Sequence, residues 1–381
     1  MGSKRGNGEG SIYQRADGKW CGSLTLSDGK RRVLYGRTRQ DVAKRLAVAL
    51  RDAQFGMAPP PQRESVGKFL ERWLEDCAKQ SVRPSTYVTY RAIVKHHLIP
   101  ELGRVGLTKL TPAEVQRLLA KKLLPEGSKP GLSPRRVQMI RATLRVALNQ
   151  ALKWELVVRN VATLADSPPV VYPQVEALSP VQARAIMGAM ASDRLEALYL
   201  VALAIGLRQG ELLGLRWRDV DLVAGTLHVA GALQRIEGEY RLVEPKTKRS
   251  RRLLNLPEVV TTALRAHRIR QVEEQLAAED WIGSPWDLVF TTHRGAPLDG
   301  NTVTHRFQRL LRRANLERMR FYDLRHGCAT LLLDAGESPR MIMEILGHSQ
   351  ISLTMNTYAH ILPAAQQQAA TKMDAMLVAR A

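Results

Sequence analysis

The segment "YDLRHGCATLLLDAG" sets Tyr322 three residues before Arg325, with His326 directly after the arginine. Arginine presents a planar fork of donors that matches phosphate oxygens, and the start of a helix favours an anion. Three other segments carry groups of the same kind. "IGLRQGELLGLRWRDVD" places Glu211 three residues after Arg208, close enough for its carboxylate to hold the guanidinium. In "VEPKTKRSRRLLNL" Lys246 falls where a strand turns into a polar loop, with Lys248 and Arg249 nearby. "ILGHSQISLTMNTYAHIL" has His348 after a helix-ending Gly347, and Tyr358 ten residues later. Each has an ordinary reading as well: a surface ion pair, a plain phosphate contact, a polar residue ending a helix, a packing tyrosine.

Metal and nucleotide motifs are missing. No Walker-type loop, His-Glu-x-x-His helix or calcium loop occurs, and the carboxylates form no compact group suggesting a two-metal nuclease. His326, Cys328, His348 and His360 fit no standard zinc spacing, so neither a metal nor another cofactor is expected. Phosphodiester chemistry here would fall to basic side chains.

The charge balance agrees with a polyanionic partner. The 381 residues carry a formal net charge of +21, and 45% hydrophobic content is ordinary for folded domains. Residues 1–57 hold 12 basic against 5 acidic side chains, residues 58–178 hold 19 against 10, and the remainder 26 against 21. The excess thus sits in foldable sequence of the first half, which implies salt-dependent binding to a polyanion, with charge alone fitting DNA, RNA or an anionic membrane surface. No apolar run approaches the roughly 20 residues that span a bilayer, and "MGSKRGNGEGS" lacks the apolar core of a secretory signal. Three widely spaced cysteines suit a reducing cytoplasm.

These groups need elements to position them. Residues 1–57 read as three short strands, with Asp-Gly turns in "ADGK" and "SDGK", followed by a helix. Tyr13, Arg15, Lys19, Trp20, Arg31 and Arg32 on those strands are candidate DNA contacts. After the proline-rich linker "MAPPPQR", residues 63–166 read as a helical domain. Its last helix has an apolar stripe at Val137, Ile140, Leu144, Leu148 and Leu152, while Arg135, Arg136, Arg141 and Arg145 lie mostly off it as candidate DNA contacts. A second linker, "ADSPPVVYPQVEALSP", leads to residues 179–381. There two helices precede the short strands "GTLHVAG", "LQRIEG", "EYRLVE" and "RRLLNL", and helices then resume, with Asp323 expected to cap the one that carries Arg325.

The late segments resemble the tyrosine recombinase family, specifically the integrases of phages and conjugative transposons. The family's set of Arg, Lys, His-x-x-Arg, His or Trp, and a nucleophilic Tyr falls on Arg208, Lys246, Arg325, His348 and Tyr358, in order. The resemblance spans at least residues 179–362. It implies a multidomain chain: a small three-stranded sheet plus helix binding arm sites (1–57), an all-α, SAM-like domain binding core sites (63–166), and a mixed, mainly α catalytic domain with a small β-sheet and a C-terminal tail helix (179–381). It also implies metal- and ATP-independent cleavage and rejoining of double-stranded DNA through a 3′-phosphotyrosine, by a homotetramer, to integrate or excise a mobile element. An excision factor or a host DNA-bending protein would be further partners. The apolar positions Ala369, Met373, Met376 and Leu377 in the tail suit contact with a neighbouring subunit.

One position departs from the pattern: Tyr322 stands where the family has the first histidine. Its hydroxyl can replace one hydrogen bond of an imidazole but does not act as a base near neutral pH. Glu211 and Tyr322 are therefore expected to support catalysis, and Tyr358 to be the nucleophile. Two rival readings keep the fold: a DNA-binding regulator without chemistry, and a relaxing enzyme resembling type IB topoisomerases.

Overall fold

Alternating polar and apolar residues near the N-terminus form, in the computed structural model of the chain, strands β1 (Ser11–Gln14), β2 (Trp20–Thr25) and β3 (Arg31–Gly36), paired antiparallel in that order. The structure describes residues 10–25, 31–54, 64–128, 130–171, 177–244 and 251–347, together with 370, 371, 373, 374 and 377. It divides into two units, Met1–Val171 and Tyr172–Ala381.

In the first unit, α1 (Arg39–Gln54) covers one face of the sheet, with Leu24, Leu46 and Ala49 buried between them. Gly22 lies on that face, where a Cβ would meet Val42 at 2.7 Å, so the helix can approach only a residue without a side chain. The helical part follows as α2 (Val66–Trp73), α3 (Lys79–Ser81), α4 (Pro84–Ile93), α5 (Ile99–Leu102), α6 (Pro112–Leu123) and α7 (Pro134–Lys153). π-helical turns at Leu74–Ala78 and Val94–Leu98 join α2 to α3 and α4 to α5. Thr111 and Ser133 cap α6 and α7 with proline at the first helical position, the arrangement their sequences prescribe. The buried stripe of α7 runs through Val137, Ile140, Leu144, Ala147, Leu148 and Ala151, whereas Leu152, expected on it, is 41% exposed. The stripe shifts because 3.6 residues per turn carries a strict four-residue step off the buried face.

The second unit is built on α9 (Glu196–Ile205), whose residues Ala197 to Leu203 are all buried. α8 (Pro180–Met190) precedes it, and the short α10 (Gln209–Leu213) follows a left-handed Gly206. Strands β4 (Val220–Asp221), β5 (Thr226–Val229) and β8 (Arg252–Asn255) form one antiparallel sheet, and β6 (Ala232–Ile236) and β7 (Glu239–Val243) a hairpin. β4, too short for a periodic signal, has no counterpart in the sequence reading. Then come α11 (Glu258–Ala277), α12 (Gly300–Arg313), α13 (Asp323–Asp334) and α14 (Pro339–Leu346). Tyr199 of α9, Phe307 of α12 and Phe321 before α13 meet as an aromatic cluster in this core. α13 starts one residue earlier than a cap at Asp323 requires. Tyr322 takes the cap position, and Asp323 instead accepts from the Arg320 backbone N–H at 2.9 Å.

Candidate active site

Arg208 sits at the junction of α9 and α10, directly before the first residue of α10. Its Nη1 donates to Glu211 Oε1 at 2.7 Å, and its backbone N–H donates to Oε2 of the same carboxylate at 3.1 Å. Glu211 is therefore both the partner of the guanidinium and the group that closes the N-terminus of α10. The second arm of Arg208, Nη2, donates to the Gly347 carbonyl at 2.7 Å. The side chain of Arg208 remains 37% exposed, open to a ligand, while that of Glu211 is 5% exposed.

Arg325 lies in the first turn of α13 and is buried. Its Nη1 donates to the carbonyl of Gly206 and its Nη2 to that of Leu346 at 2.7 Å. Gly206 and Gly347 are the left-handed residues that end α9 and α14. Two helix C-termini, each with unpaired carbonyls and the negative end of its dipole, thus converge on one guanidinium. Burial, with the nearby Arg208 charge adding to it, lowers the pKa of Arg325 to about 10, which leaves it charged at neutral pH.

A third arginine, Arg252 at the start of β8, completes the arrangement and was not among the residues singled out by sequence. Its Nε donates to the Ile345 carbonyl at 2.7 Å and its Nη2 to Glu211 Oε2 at 3.2 Å. The consecutive carbonyls of Ile345, Leu346 and Gly347 accordingly receive Arg252, Arg325 and Arg208. Burial alone would raise the Glu211 carboxyl, but the Arg252 and Arg208 charges outweigh it and hold the group below its ordinary range. A sequence signal for Arg252 exists: alternation along "RLLN" gives it the same face as buried Leu254, and a charge at an inward strand position needs a partner.

Tyr322 is 47% exposed, and its ring meets that of His326 edge to face at 5.0 Å between centroids. Burial lowers the pKa of His326, which keeps the imidazole neutral at pH 7. Lys246, His348 and Tyr358 lie outside the described residues, although His348 follows Gly347 directly in the chain.

The expected DNA contacts separate by register. Tyr13 and Arg31 share the sheet face opposite α1, and Arg15 lies 5.7 Å from the Tyr35 ring centroid. Trp20 falls on the face of Gly22 and Leu24, toward α1, and Arg32 pairs in register with Leu24. Lys19 is exposed in the β1–β2 turn. On α7, Arg135 and Arg145 are exposed and Arg136 is half-buried. Arg141 instead ties α7 to the segment after it, donating to Ser167 Oγ and the Thr163 carbonyl, both at 3.2 Å.

Comparison with known proteins matches residues 176–364 to the Phage integrase family, and residues 65–124 to the N-terminal SAM-like domain of phage integrases. An integrase of Streptomyces ambofaciens is 30% identical over 392 residues, covering 98% of each chain. A tyrosine recombinase XerC-like protein of Caldanaerobacter subterraneus is 28% identical over 366 residues, covering 91% of this chain and 92% of that one. Among solved structures, the Tn1549 transposon integrase in complex with transposon right end DNA has the same fold, with a TM-score of 0.67 and 22% identity over 81% of this chain and 99% of that one. Among the described residues no helix is long and apolar enough to cross a membrane. The chain belongs to the phage integrase family of tyrosine recombinases, enzymes that cleave and rejoin DNA in site-specific recombination.

Proposed function

We propose that Arg208, Lys246, Arg325, His348 and Tyr358 form the catalytic set of this recombinase, with Glu211 and Tyr322 supporting them. The observation that carries the reading is the common anchorage of Arg208 and Arg325 on the neighbouring carbonyls of Gly347 and Leu346. Two guanidinium groups held this way can meet the non-bridging oxygens of one phosphate. Each has five N–H donors, more than its bonds to carbonyls and carboxylate employ. Arg208, the more exposed, receives the phosphate first.

Phosphodiester exchange requires charge stabilisation at phosphorus, an in-line nucleophile and a proton for the leaving oxygen. The Tyr358 hydroxyl gives its proton to solvent and its oxygen attacks phosphorus, the bond from phosphorus to the 5′ oxygen breaks, and Lys246 protonates that oxygen. A tyrosine near its ordinary pKa of about 10 is mostly neutral at pH 7, so the cationic pocket favours its ionisation. His348 donates to the same phosphate. One ester replaces another, so the 5′ hydroxyl can reverse the step without ATP.

Around this centre, Tyr13, Arg15, Lys19 and Arg31 of the sheet and Arg135, Arg136 and Arg145 of α7 engage double-stranded DNA at two classes of site, within a cytoplasmic homotetramer that integrates or excises a mobile element. Met373 and Leu377 in the tail are exposed, which suits contact with a neighbouring subunit; Ala369 and Met376 lie outside the described residues.

The test is covalent capture. A random pool of nicked duplexes is incubated with the chain in the presence of EDTA, and adducts are isolated under denaturing conditions and mapped by peptide. The expected result is an adduct on Tyr358 that Tyr358→Phe abolishes. An adduct on Tyr322, or no adduct, overturns the assignment.

A further inference from the structure

We infer that Arg252 is a positioning residue of the active site: it ties β8 to the end of α14 and to the carboxylate that holds Arg208, and so fixes the spacing of the two phosphate-binding arginines. The inference rests on reading Arg208 and Arg325 as that pair.

Arg208 has two side-chain anchors, Glu211 Oε1 and the Gly347 carbonyl. Arg252 grips the supports of both, through Glu211 Oε2 and through the Ile345 carbonyl in the same final turn. It also steadies the support of Arg325, since the Leu346 carbonyl that Arg325 holds follows directly on the Ile345 carbonyl that Arg252 holds. Its own side chain is only 8% exposed, against 37% for Arg208, so it holds the pocket and leaves the substrate to others. The fit depends on a missing side chain. A Cβ at Gly347 would lie 2.7 Å from Arg252 Nη1, and the left-handed φ of +66° there already disfavours any other residue.

Lysine cannot replace this grip. Its single ammonium keeps the charge opposite Glu211, but lacks the rigid fork that spans a carbonyl and a carboxylate at once. The variants Arg252→Met and Arg252→Lys therefore remove different things. The first removes charge and fork, the second the fork alone.

The experiment uses the full chain and a nicked duplex selected by covalent capture on the wild type, and measures the single-turnover adduct rate at saturating duplex across pH, with duplex affinity and thermal melting alongside. A misplacement of about 1 Å costs on the order of 100-fold in rate. We expect R252M to lose about that much, with affinity within about twofold of wild type. Its acid limb should move to higher pH, because Glu211 loses one of the charges that depress it. R252K should lose about tenfold with the acid limb unmoved. Wild-type rates in R252M, or a rate loss that follows melting and affinity with no shift of the acid limb, would overturn the inference. If R252M does not fold, R252K decides, and a wild-type rate there is fatal. Tyr358→Phe is run in parallel: an adduct from it sinks the catalytic reading itself, whereas its silence beside a fully active R252M sinks only the role of Arg252.

Discussion

Arg208 and Arg252 hold opposite oxygens of one carboxylate, at 2.7 Å on Oε1 and 3.2 Å on Oε2 of Glu211. A buried acid that serves two bases is a junction between elements distant in sequence: here the start of α10 and the start of β8. Its value depends on every member being present, because a buried charge left without its partner is strongly destabilising.

Removing the acid exposes that dependence. Glu211→Leu leaves Arg252 buried without its carboxylate and should cost about 3–5 kcal/mol of folding stability. Denaturant titration measures it, and a change below about 1 kcal/mol would contradict the pairing.

The pH dependence has a definite sign. Glu211 has a folded pKa below the ordinary carboxylate value, so its stabilisation is complete above that value and is lost as pH falls through the folded one. Acid unfolding of the wild type should steepen in that window, and Glu211→Gln should flatten it.

Arg325 already has its pKa lowered to about 10 by burial. A lysine in the same place starts about two units lower than arginine and meets the same surroundings. Arg325→Lys should reduce adduct formation at least 100-fold at neutral pH, and its residual activity should fall further as pH rises. Activity that rises with pH would refute this.

Gly347→Ala adds a methyl group against Arg252 Nη1 at a left-handed φ. It should lower thermal stability by about 1–3 kcal/mol and reduce cleavage more than DNA affinity. A melting scan with a binding titration distinguishes the two effects.

At Tyr322, substitution by phenylalanine should slow adduct formation several-fold without abolishing it, while Tyr322→His should equal or exceed the wild type near pH 7. Loss of all attachment in Tyr322→Phe would show that its hydroxyl does more than donate a hydrogen bond.

Most elements were legible in the sequence because they rest on local rules. Ser133 and Thr111 followed by proline mark the starts of α7 and α6, and the Asp-Gly turn after β1 marks its hairpin. Arg208 and Glu211 are three residues apart, so their contact could be anticipated from helix spacing. Arg252 was not legible as part of the site, because its partners Glu211 and Ile345 are 41 and 93 residues away and only the fold brings them together. The burial of Arg325 was hidden for the same reason, since its acceptors lie at the ends of two other helices.

The final turn of α14 can also be viewed as a mechanical coupling. Three successive carbonyls there each fasten a different guanidinium, and the chain runs straight on from them into the segment of His348 and Tyr358. A small rotation of that turn disturbs all three fastenings together rather than one after another. Such a pocket is assembled or dismantled as a unit, and displacing one helix end loosens every member of it at once.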